Sequence, residues 1–236
     1  KYAAEKLKAK KIAFLFQNDA YGKSGLDGCK GRMKALKMQL VEEVSTEPGE
    51  KDLSSQILRL KKSGAEVVIM WVNPTSAVIA LKTAATVGFK PQWMSSNTLS
   101  DYALMNKITG GLWEGVITGA FAEAPDSNTP LLKKYREAAK KYAPEERWGT
   151  FYMAGILFAE PLVEAIKKAG RNLSTEAVLK QLNSMKNFQG IGPPVTWTPA
   201  VHQGTDAIMV QKCGPNSSYI TLQNWTANEL ATWKKK

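Results

Sequence analysis

Histidine is nearly missing from this chain, and acid–base chemistry built on it goes with it. Among 236 residues there is one, His202, in a Pro/Gly-rich loop, where a structural or solvent-facing role suits it better than catalysis. Cysteine is almost as scarce. Cys29 and Cys213 belong to no metal-spaced pair, so they are either a disulfide in an oxidising compartment or two buried thiols. No Gly-x-Ser-x-Gly elbow, Walker loop, His-Glu-x-x-His pair or dinucleotide glycine fingerprint is present. No apolar run reaches the ~18 residues needed to cross a bilayer, so direct membrane insertion is not expected. There is no internal repeat and no low-complexity tract. These absences argue against an enzyme, a cofactor and a metal.

Acidic residues are also short: 21 against 32 Lys and Arg, a formal charge of +11. Such an excess invites a nucleic-acid reading. The lysines instead scatter over helix patterns, as at Lys61-Lys62, Lys133-Lys134 and Lys167-Lys168, with no Arg-rich stripe and no aromatic-interleaved RNA motif. They read as solvated helix faces, and no nucleic-acid partner is expected. Lys234-Lys235-Lys236 reads as a frayed tail. The chain opens inside a helix pattern, Lys1 to Leu7, without Met or an apolar leader, as in a processed or truncated polypeptide.

What is abundant is alternation. Lys11–Phe16 and Leu40–Thr46 read as strands, and Ser24–Met38 as a helix with Leu26, Met33 and Leu36 at helical spacing. Asp52 is placed to cap the next helix, Leu53, Ile57 and Leu60 line one face, and Gly64 stops it. Val67 to Val72 is a nearly continuous apolar run, the mark of a strand buried on both faces. Pro74 suits the first turn of a helix running to Val87. Short strands follow at Gln92–Met94 and Gly115–Phe121. The series predicts an α/β fold, a doubly wound Rossmann-like sheet.

The character changes after Ala124-Pro125-Asp126. Residues 129–186 read as helical: Leu131–Tyr142, then Phe151–Ala169 with a kink expected at Pro161, then a helix starting at Ser174-Thr175 with Val178, Leu179 and Leu182 inward. Ala207–Val210 and Tyr219–Leu222 flank Gly214-Pro215-Asn216 as a hairpin. A helical block without strands has an apolar face to cover. Its sheet is therefore expected to belong to a second lobe whose strands are absent from these residues.

Ligands of open α/β sheets sit at the carboxyl ends of the strands. Three such ends offer polar and aromatic groups: Gln17 to Gly22, Trp71 to Thr75, and Met94 to Thr98. Tyr21 is a candidate ligand contact or a turn residue on its own sheet. Asn73 can touch ligand, cap a helix, or do both. Pro74 and Thr75 mark a helix start whose free N–H groups suit an anionic oxygen. Ser96, Asn97 and Thr98 are contacts or loop residues, and Asp19 a contact or a turn-binding carboxylate. Trp71 and Trp93 read as core, as do Trp148, Phe151 and Tyr152, unless the last three line the cleft.

Three stretches carry a resemblance. Asp19-Ala20-Tyr21-Gly22-Lys23-Ser24-Gly25, Asp52 to Lys61, and Val87-Gly88-Phe89-Lys90-Pro91-Gln92-Trp93-Met94 resemble the type I periplasmic binding proteins, in the leucine/isoleucine/valine-binding branch. The resemblance implies two Rossmann-like lobes, joined by three crossovers, that close on a small ligand for an ABC importer. It implies residues 1–122 as lobe two, 123–187 as a helical return of lobe one, and 188–236 as the last crossover and closing strands of lobe two. It implies a permease as partner and a periplasmic or extracellular location. A receptor or transcription regulator with the same fold is the alternative. Tyr21 falls where the family has a tyrosine against the ligand, and Asn73 and Pro74 where amino-acid binders carry an aromatic pair. Asn97 falls where those binders carry a glutamate for the ligand ammonium. Its neutral amide points to an organic or aromatic acid, an amide or an amino-acid-like ligand, not a simple branched-chain amino acid.

Overall fold

The computed structural model describes residues 1–171 and 173–231, and the expected lysine tail lies outside them. Apolar runs become strands β1 (Ile12–Gln17), β3 (Val67–Trp71), β4 (Gln92–Ser95) and β5 (Ile117–Ala120), with β2 at Glu42–Thr46. Strand β1 pairs in parallel with β2 on one side and β3 on the other, and β3–β4 and β4–β5 are parallel too. Strands β6 (Ile208–Cys213) and β7 (Tyr219–Thr226) extend the sheet to the order β2-β1-β3-β4-β5-β6-β7. They flank the turn Pro215–Ser217, as the hairpin reading expects.

Side chains alternate between the two faces, and both faces are covered. Ala13, Leu15, Val68, Met70 and Trp93 enter one apolar cluster. Ile12, Val67, Ile69 and Met94 enter another. On the first face lie α3 (Ser54–Lys62), α4 (Pro74–Thr86) and α5 (Tyr102–Thr109). Leu53, Ile57 and Leu60 are fully buried there. Leu53, not Asp52, is the N-cap of α3, yet Asp52 Oδ1 still accepts the Ser54 N–H at 2.8 Å. Gly64 ends the helix at φ +69°, left-handed backbone that glycine takes without strain. On the second face lie α1 (Tyr2–Glu5) and α2 (Ala20–Ala35).

The cysteines do not pair. Cys29 packs from α2 with the second cluster and Cys213 is buried in the first, so the sheet stands between two free thiols. Burial pushes each up to about 11.

The chain divides into two compact units: Lys1–Gly119 with Gln211–Ile220, and Ala120–Val210 with the chain from Thr221. The second holds α6 (Pro130–Tyr142), α7 (Thr150–Ala169) and α8 (Thr175–Asn183). Helix α7 runs through Pro161 as one element. Its small core joins Ala122, Leu132, Met153 and Ile191. Buried Glu160 accepts the Ile191 N–H at 2.9 Å and the Tyr135 hydroxyl at 3.0 Å. The expected inward face of α8 is only partly covered. Val178 and Leu182 are half-buried, and Leu179 is exposed beside Leu162 and Ile166 of α7.

Candidate functional site

The strand order reverses between β1 and β3, the point in an open α/β sheet where the loops at the carboxyl ends part and ligands bind. The polar residues beyond β1, β3 and β4 meet at this edge. Helix α2 starts four residues before the expected Ser24 because Asp19 caps it: its Oδ1 accepts the Gly22 N–H at 2.9 Å. Its Oδ2 accepts from the Gln17 amide. These bonds, the Gly22 N–H first, hold the Asp19 carboxyl below the usual carboxylate range.

Gln17 then reaches across the reversal. Its Oε1 accepts from Asn73 Nδ2 at 2.6 Å, while Asn73 Oδ1 caps α4 by accepting the Ser76 N–H at 3.0 Å. Asn73 thus both caps and ties two strand ends. The free N–H groups expected at this helix start shrink to one. Pro74 has none, Ser76 is capped, and Thr75 alone keeps an unpartnered, exposed amide among the described residues.

Tyr21 makes the second tie. Its hydroxyl lies 2.8 Å from Ser96 Oγ and 2.7 Å from Thr98 Oγ1, and these two lie 2.6 Å apart. The three hydroxyls form a closed triangle that spends one proton per bond. Ser96 is buried; Tyr21 and Thr98 are half-buried. Asn97, half-buried between them, opens a short 3₁₀ turn. Its carbonyl accepts from Ser100, and its side-chain amide makes no hydrogen bond among the described residues. Tyr21, Asn73 and Asn97 therefore share one edge.

Two participants escape a pattern reading. Gln17 ends a buried strand, where no periodicity marks a bridging amide. Trp71, read as core, is half-buried against Tyr21: the ring centroids are 5.9 Å apart, and the Phe14 ring stacks with the same indole at 6.4 Å. Glycine was the available signal. A Cβ on Gly25 would stand 2.4 Å from Trp71 Cγ, and one on Gly22 only 1.9 Å from the Gln17 carbonyl oxygen. The Gly22–Gly25 spacing lets α2 settle against the end of β1 and the indole of β3. In the second unit Trp148 donates to the Pro125 carbonyl at 2.9 Å and Phe151 is exposed.

The edge offers hydroxyls, amides and an aromatic floor. Its carboxylates are engaged: Asp19 caps α2 and binds Gln17, and Glu47 accepts from Asn18 at 2.6 Å. Among the described residues no group of metal-ligating side chains gathers there or elsewhere.

Residues 1–218 match the family described as periplasmic binding protein. The Leu/Ile/Val-binding protein homolog 2 of Brucella abortus (strain 2308) is 31% identical over 198 residues, covering 80% of this chain and 50% of that protein. The Leu/Ile/Val-binding protein of Citrobacter freundii is 26% identical over 200 residues. The chain spans about half the length of the curated relatives it matches. Among solved structures, a branched-chain amino acid ABC transporter protein from Thermus thermophilus with bound valine overlays with a TM-score of 0.86 at 20% identity, over 99% of this chain and 64% of that one. A fatty acid ABC transporter substrate-binding protein from Thermomonospora curvata reaches 0.80 at 21%, over 99% and 62%.

Proposed function

Because this chain belongs to the periplasmic binding protein family, we propose that it is a solute-binding part of an ABC importer whose ligand is a small organic or aromatic acid, an amide or an amino-acid-like molecule. It binds and does not catalyse. The ligand meets the edge formed by Tyr21, Asn73, Ser96, Asn97 and Thr98, with the Thr75 amide available to an anionic oxygen. It acts outside the cytoplasm and delivers to a membrane permease. We also propose that residues 1–122 form most of one lobe, 123–187 a helical return of the other, and 188–236 the last crossover and closing strands. The exposed apolar residues of α7 and α8, among them Phe158 at 74% and Leu162 at 45%, support strands from beyond this sequence covering that face.

One observation carries the ligand class: the Asn97 amide, without a hydrogen bond among the described residues, stands beside the hydroxyl triangle, while the carboxylates of Asp19 and Glu47 are engaged by Gly22, Gln17 and Asn18. An α-ammonium group seeks a carboxylate partner. Hydroxyls and an amide instead present both donors and acceptors to a carboxylate, a carboxamide or a phenol. Relatives and neighbours are named for branched-chain amino acids and for a fatty acid, so the fold alone does not choose.

A thermal-shift and calorimetric panel of aromatic acids, carboxamides and amino acids tests this on the parent-length protein. A ligand that binds only the native state raises its stability. An acid or amide giving the larger shift, diminished by Asn97→Asp, supports the reading. Tight leucine binding overturns it.

A further inference from the structure

The positive charge of this chain is segregated. Residues 1–40 hold ten Lys or Arg against three Asp or Glu, whereas residues 41–233 hold nineteen against eighteen. The fold gathers this group except Lys23, which stands in the first turn of α2 beside Tyr21. Helix α1, the turn after it and α2 pack on one face of the sheet through Ala3, Ala9, Ile12 and Met33. Lys34 and Lys37 stand at the C-terminal end of α2, and Lys8, Lys10 and Lys11 lead into β1. The Val41 N–H donates to the Ile12 carbonyl at 2.9 Å, tying the exit from α2 to the start of β1. These lysines therefore occupy the end of the first unit opposite Tyr21, Asn73 and Asn97.

Lys6, Lys8, Lys34 and Lys37 are exposed, and none pairs with a carboxylate among the described residues. Lys30 is offset by Glu43 at 2.7 Å. Apolar side chains stand between the charges. Leu7 is 36% exposed between Lys6 and Lys8. Met33, Met38 and Leu40 line a groove of about 540 Å³ with Lys30, Lys34 and Lys37.

Nine of the ten cations are lysines, compact charges on flexible stems without the fork that fixes one carboxylate or phosphate. Such an array suits a diffuse anionic surface. Lysines interleaved with apolar side chains suit the boundary between headgroups and acyl chains, where stems lie along apolar surface and ammonium groups stay in water. We propose that this end of the first unit binds, peripherally, the surface of a bilayer carrying anionic phospholipids.

Vesicle co-sedimentation tests it. The protein is expected to bind vesicles of about one third phosphatidylglycerol at about 25 mM NaCl, to leave them at about 250 mM, and to ignore pure phosphatidylcholine. Replacing Lys30, Lys34 and Lys37 together by Gln is expected to weaken binding at least about tenfold. Replacing Lys133, Lys134 and Lys140 of α6 by Gln removes the same charge and is expected to change binding less than about twofold. If circular dichroism shows the first triple misfolded, Lys6→Gln with Lys8→Gln, on the exposed turn, carries the same comparison. Equal losses from α2 and α6, absence of binding at low salt, or binding to polyglutamate or DNA without binding to vesicles overturns the proposal.

Discussion

Four glycines stand three apart in α2, and only two of them are required by their surroundings. Gly22 and Gly25 face the sheet and are buried, whereas Cβ atoms on Gly28 and Gly31 would meet nothing within 4 Å. Glycine inside a helix costs about 0.5–1 kcal/mol relative to alanine. Gly28→Ala should therefore stabilise the protein by about that amount. Gly25→Ala gains the same propensity but places its methyl 2.4–2.5 Å from Cγ, Cδ1 and Cδ2 of Trp71. Those atoms root the indole to β3, so relief needs a shift of about 1 Å of ring or helix. Overpacking of this kind costs about 1–3 kcal/mol, leaving a net loss of up to about 2 kcal/mol. The two variants share the propensity gain and should differ by the overpacking cost alone, about 1–3 kcal/mol, roughly 2–12 °C in Tm for a chain of this size. Parallel thermal and urea unfolding followed by circular dichroism measures the gap. Near-ultraviolet circular dichroism should also lose signal in Gly25→Ala alone, as Trp71 leaves Tyr21 and Phe14. Equal stability of the two variants, or a Gly25→Ala protein more stable than the parent, would refute the packing argument.

Tyr21→Phe keeps the ring on Trp71 but opens the hydroxyl triangle; calorimetry should show affinity for the best ligand falling about tenfold, with stability lower by about 0.5–1.5 kcal/mol. Asp19 contributes stability that is full above the unfolded carboxylate value and lost as pH falls through its lower folded one. Unfolding midpoints of the parent and Asp19→Asn should therefore converge below about pH 4 and separate above it. Glu160→Ala orphans the buried Ile191 N–H and should cost about 1–3 kcal/mol by urea unfolding, while Glu160→Gln, able to accept from Ile191 and donate to Tyr135, should cost much less. Both cysteines should titrate as thiols only in denaturant, and a reductant should leave Tm unchanged.

The doubly wound series from Ile12 onward was legible because both faces of its sheet are buried, which leaves continuous apolar runs that no exposed helix carries. Caps were legible where the side chain is a strong competitor for N–H groups, as at Asn73 and Ser174. The start of α2 was not. Gly22 and Gly25 dilute its apolar period, and the reason for Gly25, Trp71, is 46 residues away in sequence. Helix α5 leaves a weak mark on the sequence although Asp101 caps it and Gly110 ends it at φ +67°. Eight residues give the apolar period little more than two turns to show itself. The inward reading of α8 assumed that an apolar stripe is covered by the residues at hand, and nothing in a period says where its cover comes from.

The candidate site was legible as three strand ends and illegible as a network. Tyr21, Asn73 and Asn97 were placed by position, but position does not distinguish a group that greets ligand from one that holds the edge together. Their bonds do. Asn73 is committed to the α4 cap and to Gln17, Gln17 to Asn73 and Asp19, and Asp19 to Gly22 and Gln17. Drawing Asn73 toward a ligand would undo a cap worth about 1 kcal/mol, and drawing Gln17 or Asp19 would leave a half-buried amide short of a partner. Among the described residues, the hydroxyls of Tyr21, Ser96 and Thr98 are held only by one another. A hydroxyl rotor can turn its proton outward at the cost of one neutral bond, regained on the ligand. The Asn97 amide has nothing to give up. Rigidity from Gln17, Asp19 and Asn73, and discrimination from Tyr21, Ser96, Asn97 and Thr98, is the division of labour that these hydrogen bonds impose.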